Sequence, residues 1–302
     1  MNILITGSSG MLGTALYEAL SRDPSYKVAG LDAAQAAGVK QDAFIRCDIT
    51  DYAALKKAVS GITPDIIIHT AAFTDVDGCE VQPDKAETVN AVATRYVAET
   101  ASEYKAVIVY ISTDFVFDGT KMSPYKEDDT ANPINIYGRS KLNGEKFVEE
   151  AVGKGKFFII RTSWLFGRNG KNFVDTILKK AQSEKTIRVV NDQFGSPTYA
   201  SDLAEGIGRL LDLYKTAKEI TGVYHITNSD DCSWYKFAQK SLELARIYNV
   251  ELVPILSVEL DRPAERPSVS ILDNSRFIAL TGRPLRSWQR ALEDYISLRR
   301  RT

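Results

Sequence analysis

Tyr137 and Lys141 are the residues whose types and spacing point most directly to chemistry. They stand four residues apart, so a helix would place both side chains on one face. Reduction of a ketone requires a proton for its oxygen, and a phenol can donate it, although the ordinary phenol pKa of ~10 is high for neutral solution. A nearby ammonium, together with the positive ring of an oxidised nicotinamide, favours the phenolate and lowers that pKa. The pair predicts acid catalysis by Tyr137, although alone it is more typical of a tyrosine packed over a lysine stem.

A hydroxyl that could hold the ketone oxygen comes earlier in the chain, at the end of an apolar segment. The segment ends in Ile111, Ser112, Thr113 and Asp114. Either the Ser112 or the Thr113 hydroxyl could donate a hydrogen bond to the ketone oxygen. Together with a glycine turn near the N-terminus, the Ser-Thr strand end and the Tyr-Lys pair form an ordered set that chance seldom produces.

The glycine turn contains Gly7, Gly10 and Gly13 and follows the first apolar segment directly. In a dinucleotide-binding turn, the first glycine permits a tight turn, the second lets a pyrophosphate approach, and the third lets the helix pack on the sheet. The next helix offers unpaired N–H groups and the positive end of its dipole to the phosphates. The glycine turn lies between a strand and an amphipathic helix, and this position favours a cofactor-binding role over a purely structural one.

Two acidic residues end the next two predicted strands. Asp32 comes ~20 residues after the glycine turn, where a carboxylate accepts from a ribose 2′-OH and repels a 2′-phosphate. Taken alone, Asp32 favours NADH over NADPH, or it is only a turn residue. Asp48, beside Ile49, could accept from an adenine amine, or Asp48, Thr50 or Asp51 could cap the next helix.

Small residues end the fourth predicted strand, in the run Thr70-Ala71-Ala72-Phe73-Thr74. At the carboxyl edge of a central strand, small side chains let a flat cofactor pass over the backbone, which is where open α/β sheets bind ligands. These residues could equally be small for packing reasons alone.

Short β-branched segments alternate with longer helical patterns in the first half of the chain. The predicted strands cover residues 3–6, 27–31, 43–46, 65–70, 106–112 and 157–161, and the predicted helices cover 11–21, 52–60, 84–104 and 137–152. Several of these strands are almost wholly apolar, which is typical of strands buried on both faces. The series predicts an α/β fold, a Rossmann-type doubly wound parallel sheet with helices on both sides.

The pattern changes near Trp164, after which longer loops carry glycine and proline. We expect residues 1–163 to form mainly an NAD(P)-binding Rossmann domain. We expect residues 164–302 to form mainly a smaller substrate-binding subdomain, with segments that return to the Rossmann sheet.

Composition excludes several classes of protein. A formal net charge of −1 over 302 residues gives no field that would attract nucleic acid or anionic lipid. The three cysteines are far apart, and the two histidines, His69 and His225, lie in apolar runs and are expected in the core or at strand ends. This pattern argues against disulfides, a zinc site or a Ser/His/Asp hydrolase. No apolar run reaches the ~18 residues of a membrane span and no leader peptide is visible, so we expect a cytoplasmic protein.

Six sequence blocks resemble the dTDP-4-dehydrorhamnose reductase family of the extended short-chain dehydrogenases/reductases, over nearly the whole chain. The blocks are AAFTDVDGCE (71–80), STDFVFDG (112–119), YGRSKLNGE (137–145), RTSWLFG (161–167), NDQFGSPTYASDLA (191–204) and RPSVSILD (266–273). STDFVFDG and RTSWLFG are more specific than the glycine motif. They separate this branch from sugar epimerases, whose corresponding strand end usually lacks the aspartate.

The resemblance implies a role for each matching residue. Tyr137 would be the proton donor and Lys141 its pKa partner and ribose ligand, while Thr113 with Asp114 would orient the sugar ketone. Asn90 would support the active-site helix. The other sugar-nucleotide contacts would come from Trp164, Asn172, Phe173 and Arg266, the last at the diphosphate. The expected cofactor contacts are Gly7, Ser8, Ser9, Gly10, Met11, Leu12, Asp32, Asp48, Ile49, Ala71, Ala72, Thr74, Tyr137 and Lys141.

The resemblance also implies a reaction, the reduction of the C4 ketone of dTDP-4-dehydro-β-L-rhamnose to dTDP-L-rhamnose, used for cell-surface polysaccharide. The family uses NADPH and often accepts NADH, and because Asp32 favours NADH we expect both cofactors. No catalytic metal is expected, because Ala15 stands where some members have an acidic residue. The resemblance leaves open whether the protein binds a structural Mg²⁺. The expected partners are the nucleotide sugar and a second copy in a homodimer, with neither nucleic acid nor membrane.

Two alternatives stay open. One is a non-catalytic NADP-binding regulatory subunit that resembles the β subunit of methionine adenosyltransferase, although the intact Thr113, Tyr137 and Lys141 favour an enzyme. The other is a related reductase or epimerase that acts on a different nucleotide 4-ketosugar.

Overall fold

The computed structural model describes residues 1–36, 38–153 and 157–300. Its strands are β1 (Asn2–Thr6), β2 (Lys27–Asp32), β3 (Phe44–Arg46), β4 (Ile66–His69), β5 (Val107–Thr113), β6 (Phe157–Thr162), β7 (Leu165–Phe166), β8 (Thr186–Val190), β9 (Phe194–Gly195), β10 (Thr198–Tyr199), β11 (Gly222–His225), β12 (Cys232–Ser233) and β13 (Glu251–Ile255). The α-helices are α1 (Met11–Leu20), α2 (Tyr52–Ser60), α3 (Val76–Val81), α4 (Pro83–Glu87), α5 (Ala93–Glu103), α6 (Ile136–Val152), α7 (Phe173–Lys180), α8 (Ala200–Tyr214), α9 (Trp234–Ala245), α10 (Ser275–Thr281) and α11 (Trp288–Arg299).

The main sheet has seven strands in the order β11-β6-β5-β4-β1-β2-β3. Every neighbouring pair in it is parallel. This confirms the predicted doubly wound α/β fold. The six predicted strands are all present, whereas β11, which extends the sheet beyond β6, was not among them.

Helices cover both faces of this sheet because its central strands are apolar on both faces. In β1, Ile3 and Ile5 pack with residues of α1 and α8. Leu4, between them, points the other way and packs with residues of α2 and α5. The period of two in side-chain direction along a strand explains this division.

The predicted helix 84–104 is interrupted in the structure. A π-helical turn, Thr88–Val92, lies between α4 and α5. Such turns insert one extra residue into the helical repeat and often occur at functional sites. Here the turn carries the buried residue Asn90.

The second half of the chain builds its own core and also returns to the main sheet. A separate apolar cluster contains residues from β7, α7, α9 and α11, including Phe166 and Phe237. Three two-stranded sheets lie in this half: β7 with β10, β8 with β13, and β9 with β12. By contrast, β11 joins the main sheet and α8 packs against α1. The separate core is consistent with a division near residue 164, and β11 and α8 are consistent with segments that return to the main sheet. The division itself stays a prediction.

Both histidines end strands of the main sheet and are fully buried, as the apolar runs around them predicted. His69 ends β4 and His225 ends β11. Burial lowers the pKa of each imidazole to about 3, so both are uncharged at neutral pH. Within the described ranges, no group of three or more His, Cys, Asp and Glu residues is placed to hold a metal ion. No helix in those ranges is long and apolar enough to cross a membrane.

Candidate active site

A cavity of about 1180 Å³ opens at the carboxyl ends of β1, β2, β4 and β5. This edge of an open parallel sheet is where ligands bind. Its volume exceeds the range of about 300–1,000 Å³ for a single small-molecule pocket, so it offers room for a dinucleotide and a second ligand. The predicted site residues that line it are Gly7, Gly10, Met11, Leu12, Asp32, Asp48, Ile49, Ala71, Ala72, Thr74, Thr113, Asp114, Tyr137, Lys141 and Trp164.

The glycine turn has the geometry of a dinucleotide cradle. Gly7 has a φ of +70°, and a Cβ on it would lie 2.5 Å from the Ala71 nitrogen. A Cβ on Gly13 would lie 2.1 Å from the Gly7 carbonyl oxygen, so only glycine lets α1 lie this close to β1. The N-terminus of α1 has neither a side-chain cap nor an acidic residue in its first turn. Its free N–H groups therefore fit a pyrophosphate.

Ser8 and Ser9 are buried and hold the turn rather than line the cavity. The Ser8 hydroxyl donates to Gln41 Oε1 at 3.0 Å, and Gln41 Nε2 donates to the Ser8 carbonyl at 2.8 Å. The Ser9 amide donates to Asp32 Oδ2 at 3.0 Å, while Oδ1 accepts from the Ala33 amide at 2.8 Å. Asp32 thus lines the cavity and also fastens the turn to the end of β2.

Asp48 closes a local turn beside the cavity. Its Oδ1 accepts from the amide and the hydroxyl of Thr50, at 2.9 and 2.8 Å. Of the alternatives left open by the sequence, Asp51 is the residue that caps α2, because its carboxylate accepts from the Ala54 amide at 3.0 Å. Asp48 also lines the cavity, as an adenine ligand would require.

The predicted catalytic side chains meet because α6 begins close to the end of β5. Asn135 caps α6 by accepting from the Gly138 amide at 2.7 Å. A Cβ on Gly138 would lie 2.0 Å from the Phe115 carbonyl oxygen, so the first turn of α6 packs directly on the backbone after β5. This contact brings Tyr137 beside Thr113, and both line the cavity with Lys141.

Burial is the largest influence on the pKa values of Tyr137 and Lys141. It raises the pKa of Tyr137, while hydrogen bonding with Thr113 acts in the opposite direction. Burial also lowers the pKa of Lys141 to about 7, and its ammonium lies 4.1 Å from the centre of the Tyr110 ring. Burial opposes the lowering that the sequence predicts from a nearby ammonium and an oxidised nicotinamide, because desolvation disfavours the phenolate. The phenol therefore keeps the proton that an acid must donate.

Asp114 follows Thr113 and is almost fully buried at the cavity wall. Its Oδ1 accepts from the Thr113 hydroxyl at 3.0 Å. Burial raises the pKa of Asp114 to about 7, against the effect of that hydrogen bond. The carboxyl group next to the hydroxyl expected to hold a ketone therefore keeps a proton to higher pH than an ordinary aspartate.

Asn90 joins the π-helical turn to α6 from behind. Its Nδ2 donates to the Ser140 hydroxyl at 3.0 Å, and its Oδ1 accepts from the Phe73 amide at 2.7 Å. One buried side chain therefore links α6 to the loop after β4 that carries Ala71 and Ala72.

Trp234 is a cavity residue that the sequence did not single out. Its indole stacks on that of Trp164 with ring centroids 3.5 Å apart and planes 8° apart, and both line the cavity. Trp164 has a φ of +45°, a strained conformation for a bulky residue. A Cβ on Gly195 would lie 2.5 Å from the Trp164 ring, so the glycine makes room for it. The pairing of β9 with β12 brings these distant residues together, which no local motif signals.

Asn172 and Phe173 lie behind the cavity wall. Asn172 caps α7 by accepting from the Asp175 amide at 3.0 Å, and its Nδ2 donates to Gly167 O at 3.0 Å and Tyr295 Oη at 3.1 Å. Phe173 packs on Trp234, with ring centroids 4.5 Å apart. Neither Asn172 nor Phe173 is among the described residues that line the cavity, contrary to the prediction.

Arg266 is likewise held away from the cavity lining, by an ion pair with Asp77 on α3. Its Nη1 and Nη2 donate to Oδ1 and Oδ2 at 3.0 and 2.8 Å, a bidentate arrangement. Although burial acts in the opposite direction, hydrogen bonding from Arg266 lowers the pKa of Asp77. The guanidinium expected at a diphosphate therefore has a carboxylate partner here.

Known proteins resemble this chain along its full length. The family described as RmlD substrate binding domain matches residues 1–300. The spore coat polysaccharide biosynthesis protein SpsK of Bacillus subtilis is 36% identical over 98% of this chain and 97% of its own length. The dTDP-4-dehydrorhamnose reductase of Streptomyces griseus is 36% identical over 96% of this chain and 91% of its own length. The chain belongs to the dTDP-4-dehydrorhamnose reductase family.

A solved structure from this family has the same fold. The dTDP-4-dehydrorhamnose reductase of Bacillus anthracis, crystallised in complex with NADP, gives a TM-score of 0.88 at 38% identity. The match covers 98% of this chain and 99% of that one. The six sequence blocks predicted membership of this family, and the comparisons confirm it over both halves of the molecule.

Proposed function

We propose that the chain reduces the C4 ketone of dTDP-4-dehydro-β-L-rhamnose to dTDP-L-rhamnose with NADPH or NADH. The observation that carries the proposal is the meeting of Thr113, Tyr137 and Lys141 at one wall of a cavity large enough for two ligands. The names of the full-length relatives support the substrate, and the NADP complex of a relative supports the cofactor.

The described residues fit a nicotinamide dinucleotide. The open N-terminus of α1 would hold its pyrophosphate, and the small Ala71 and Ala72 would leave room for it above β4. Asp32 would accept from the adenosine ribose, and Lys141 would donate to the nicotinamide ribose. Bound NAD(P)H would supply the hydride that the ketone carbon receives.

The protein's own part in the reaction is to hold the ketone oxygen and to protonate it. The Thr113 hydroxyl would donate a hydrogen bond to the C4 oxygen, and the Tyr137 hydroxyl would transfer its proton to that oxygen as negative charge develops. Because burial raises the pKa of Tyr137, the proton stays on the phenol until the oxygen becomes basic. Tyr137 then regains a proton from solvent, with the Lys141 ammonium stabilising the transient phenolate.

Nicotinamide absorbance tests the proposal directly. Purified protein is mixed with NADPH or NADH, and dTDP-4-dehydro-L-rhamnose made in situ is added. We expect substrate-dependent oxidation, and a loss of ~100-fold or more in turnover for Tyr137→Phe, in line with general acid catalysis. Tyr248→Phe, at a tyrosine that is 77% exposed, is the matched control and should turn over normally.

The same assay separates the alternatives. Near-normal turnover by Tyr137→Phe would overturn the role of the phenol. Cofactor binding without any oxidation would favour the regulatory subunit, and oxidation only with another nucleotide 4-ketosugar would favour the related reductase or epimerase.

We also propose that the product serves cell-surface polysaccharide synthesis and that the enzyme works in the cytoplasm as a homodimer. The name of SpsK supports the first point. The three cysteines are buried and unpaired with one another, which suits a reducing compartment. Sedimentation velocity tests the homodimer, which stays a prediction of the sequence.

A further inference from the structure

A buried ion pair lies behind the catalytic residues, between Glu145 on α6 and Arg161 on β6. Arg161 donates from Nε to Glu145 Oε1 at 3.0 Å and from Nη2 to Oε2 at 2.7 Å. The two side chains are only 5% and 7% exposed. The Ser112 hydroxyl donates to the same Oε1. One carboxylate therefore binds three elements of the site together.

Two of these elements, α6 and β5, carry the residues proposed for the reaction. Glu145 lies one turn beyond Lys141 and two turns beyond Tyr137, so all three share a face of α6. Ser112 directly precedes Thr113 at the end of β5. The Ser112 hydroxyl donates to Glu145 and the Thr113 hydroxyl donates to Asp114, so Glu145 fixes the residue that directly precedes Thr113.

The charge of Glu145 also faces Lys141. Among the described residues, the titratable or charged side chains around Lys141 come from β4, β5, α6 and β6: His69, Tyr110, Tyr137, Glu145 and Arg161. His69 and the two phenols are uncharged at neutral pH, and Arg161 is paired with the Glu145 carboxylate. Burial lowers the pKa of Lys141 and the charge of Glu145 opposes it.

We propose that Glu145 is a positioning residue of the reduction, which keeps Lys141 charged and fixes the strand end that carries Thr113. The inference rests on the proposed function and deepens it. Arg161 makes two hydrogen bonds with Glu145 in a place almost closed to solvent, and this pairing offsets part of the cost of burying the carboxylate. Lys141 therefore depends on an ion pair whose two residues are not among those that line the cavity.

Glu145→Gln tests this through the pH profile of kcat/KM. The variant keeps the shape of the side chain and removes its charge, so the pKa of Lys141 falls. We expect the alkaline limb of the profile to move to lower pH by about one unit, which is about a tenfold loss of activity on that limb. The pH dependence of NADPH affinity should move in the same direction, and it reports on Glu145 even if the proposed substrate is wrong.

Arg161→Gln is the matched variant. Both single substitutions leave one buried charge without its partner, so a merely structural role predicts similar losses from both at every pH. We expect Arg161→Gln to leave the alkaline limb in place or move it upward, because the Glu145 carboxylate still accepts from the Ser112 hydroxyl and still lies beside Lys141. Ser112→Ala, which keeps the ion pair, should lower kcat a few-fold without moving the limb.

If Glu145→Gln does not fold, the double variant Glu145→Gln/Arg161→Gln replaces the ion pair by two amides and should show the same downward shift. Circular dichroism establishes which variants are folded. An unshifted alkaline limb in the folded Glu145→Gln or double variant would overturn the proposal. Equal downward shifts in Glu145→Gln and Arg161→Gln would overturn it as well.

Discussion

Two regions hold their predicted site residues differently. One is the edge of the main sheet at the carboxyl ends of its strands, and the other is the lobe, the part of the chain that follows Trp164. At the edge, Asp32 and Thr113 end parallel strands, so the register of the sheet delivers them to the cavity. In the lobe, Asn172 and Arg266 direct their polar atoms to partners inside the protein. A strand-end position thus fixes a side chain in the site, whereas the role of a loop residue depends on partners elsewhere in the chain.

The glycine turn gives the strongest test of how the edge is fixed. Gly10→Ala would meet only the Gly7 carbonyl oxygen, at 3.3 Å, so the fold should tolerate it. The added methyl group would still stand where the pyrophosphate approaches. We expect NADPH to bind about 10- to 100-fold more weakly, since hydrogen bonds to a charged group are lost, with little change in melting temperature. Titration calorimetry and thermal unfolding measure the two effects.

Gly13→Ala is the counterpart that should damage the fold itself. Its Cβ would lie 2.1 Å from the Gly7 carbonyl oxygen, so α1 must move away from β1. We expect a loss of about 1–3 kcal/mol in the free energy of unfolding, measured in urea. A variant as stable as the parent would show that close packing of α1 is not what this glycine provides.

The lobe can be tested at the Arg266–Asp77 ion pair. If Arg266 leaves Asp77 for the substrate diphosphate, Arg266→Ala should raise KM for the sugar nucleotide about tenfold or more. Asp77→Asn weakens the hold on Arg266 and should not raise KM. A normal KM in Arg266→Ala would show that the pair only ties the loop to α3.

Asp32 sharpens the comparison because it combines a structural and a binding role. Asp32→Asn keeps an oxygen to accept from the Ser9 or Ala33 amide but removes the charge. The ratio of kcat/KM for NADPH over NADH should rise about fivefold, the effect of removing roughly 1 kcal/mol of repulsion. An unchanged ratio would mean that Asp32 does not face the 2′ position.

The last test concerns the pH dependence of stability, measured without ligands. The pKa of Asp114 is raised in the folded state to about 7, so its contribution is complete near pH 4 and is lost as the pH rises to 7. The pKa of Lys141 is lowered to about 7, so the unfolding free energy should rise again above pH 7. Each slope is at most about 1.4 kcal/mol per pH unit.

Two variants separate these contributions in urea unfolding at several pH values. Asp114→Asn should remove the fall between pH 4 and 7, and Lys141→Met should remove the rise above pH 7. If both slopes persist in both variants, other groups control them.

The sequence was sufficient to predict the residues at the edge of the main sheet, because the patterns that identify them lie within short segments of the chain. Periodicity located the six strands, and spacing alone placed Tyr137 and Lys141 on one helix face. Burial and distant pairing are not visible in such patterns. The direction of the Tyr137 pKa shift depends on how deeply the phenol is packed, Trp234 reaches the cavity only through strand pairing, and Arg266 meets a partner 189 residues away.

Deuterium transfer tests the central claim most directly. NADPH deuterated at nicotinamide C4, on the transferred face, is incubated with the protein and dTDP-4-dehydro-L-rhamnose, and the sugar nucleotide is analysed by mass spectrometry and NMR. We predict one deuterium at C4 of the dTDP-L-rhamnose formed, and almost none formed by Tyr137→Phe. NADPH oxidation that leaves the sugar unlabelled, or equal labelling by Tyr137→Phe, would contradict the proposed reduction.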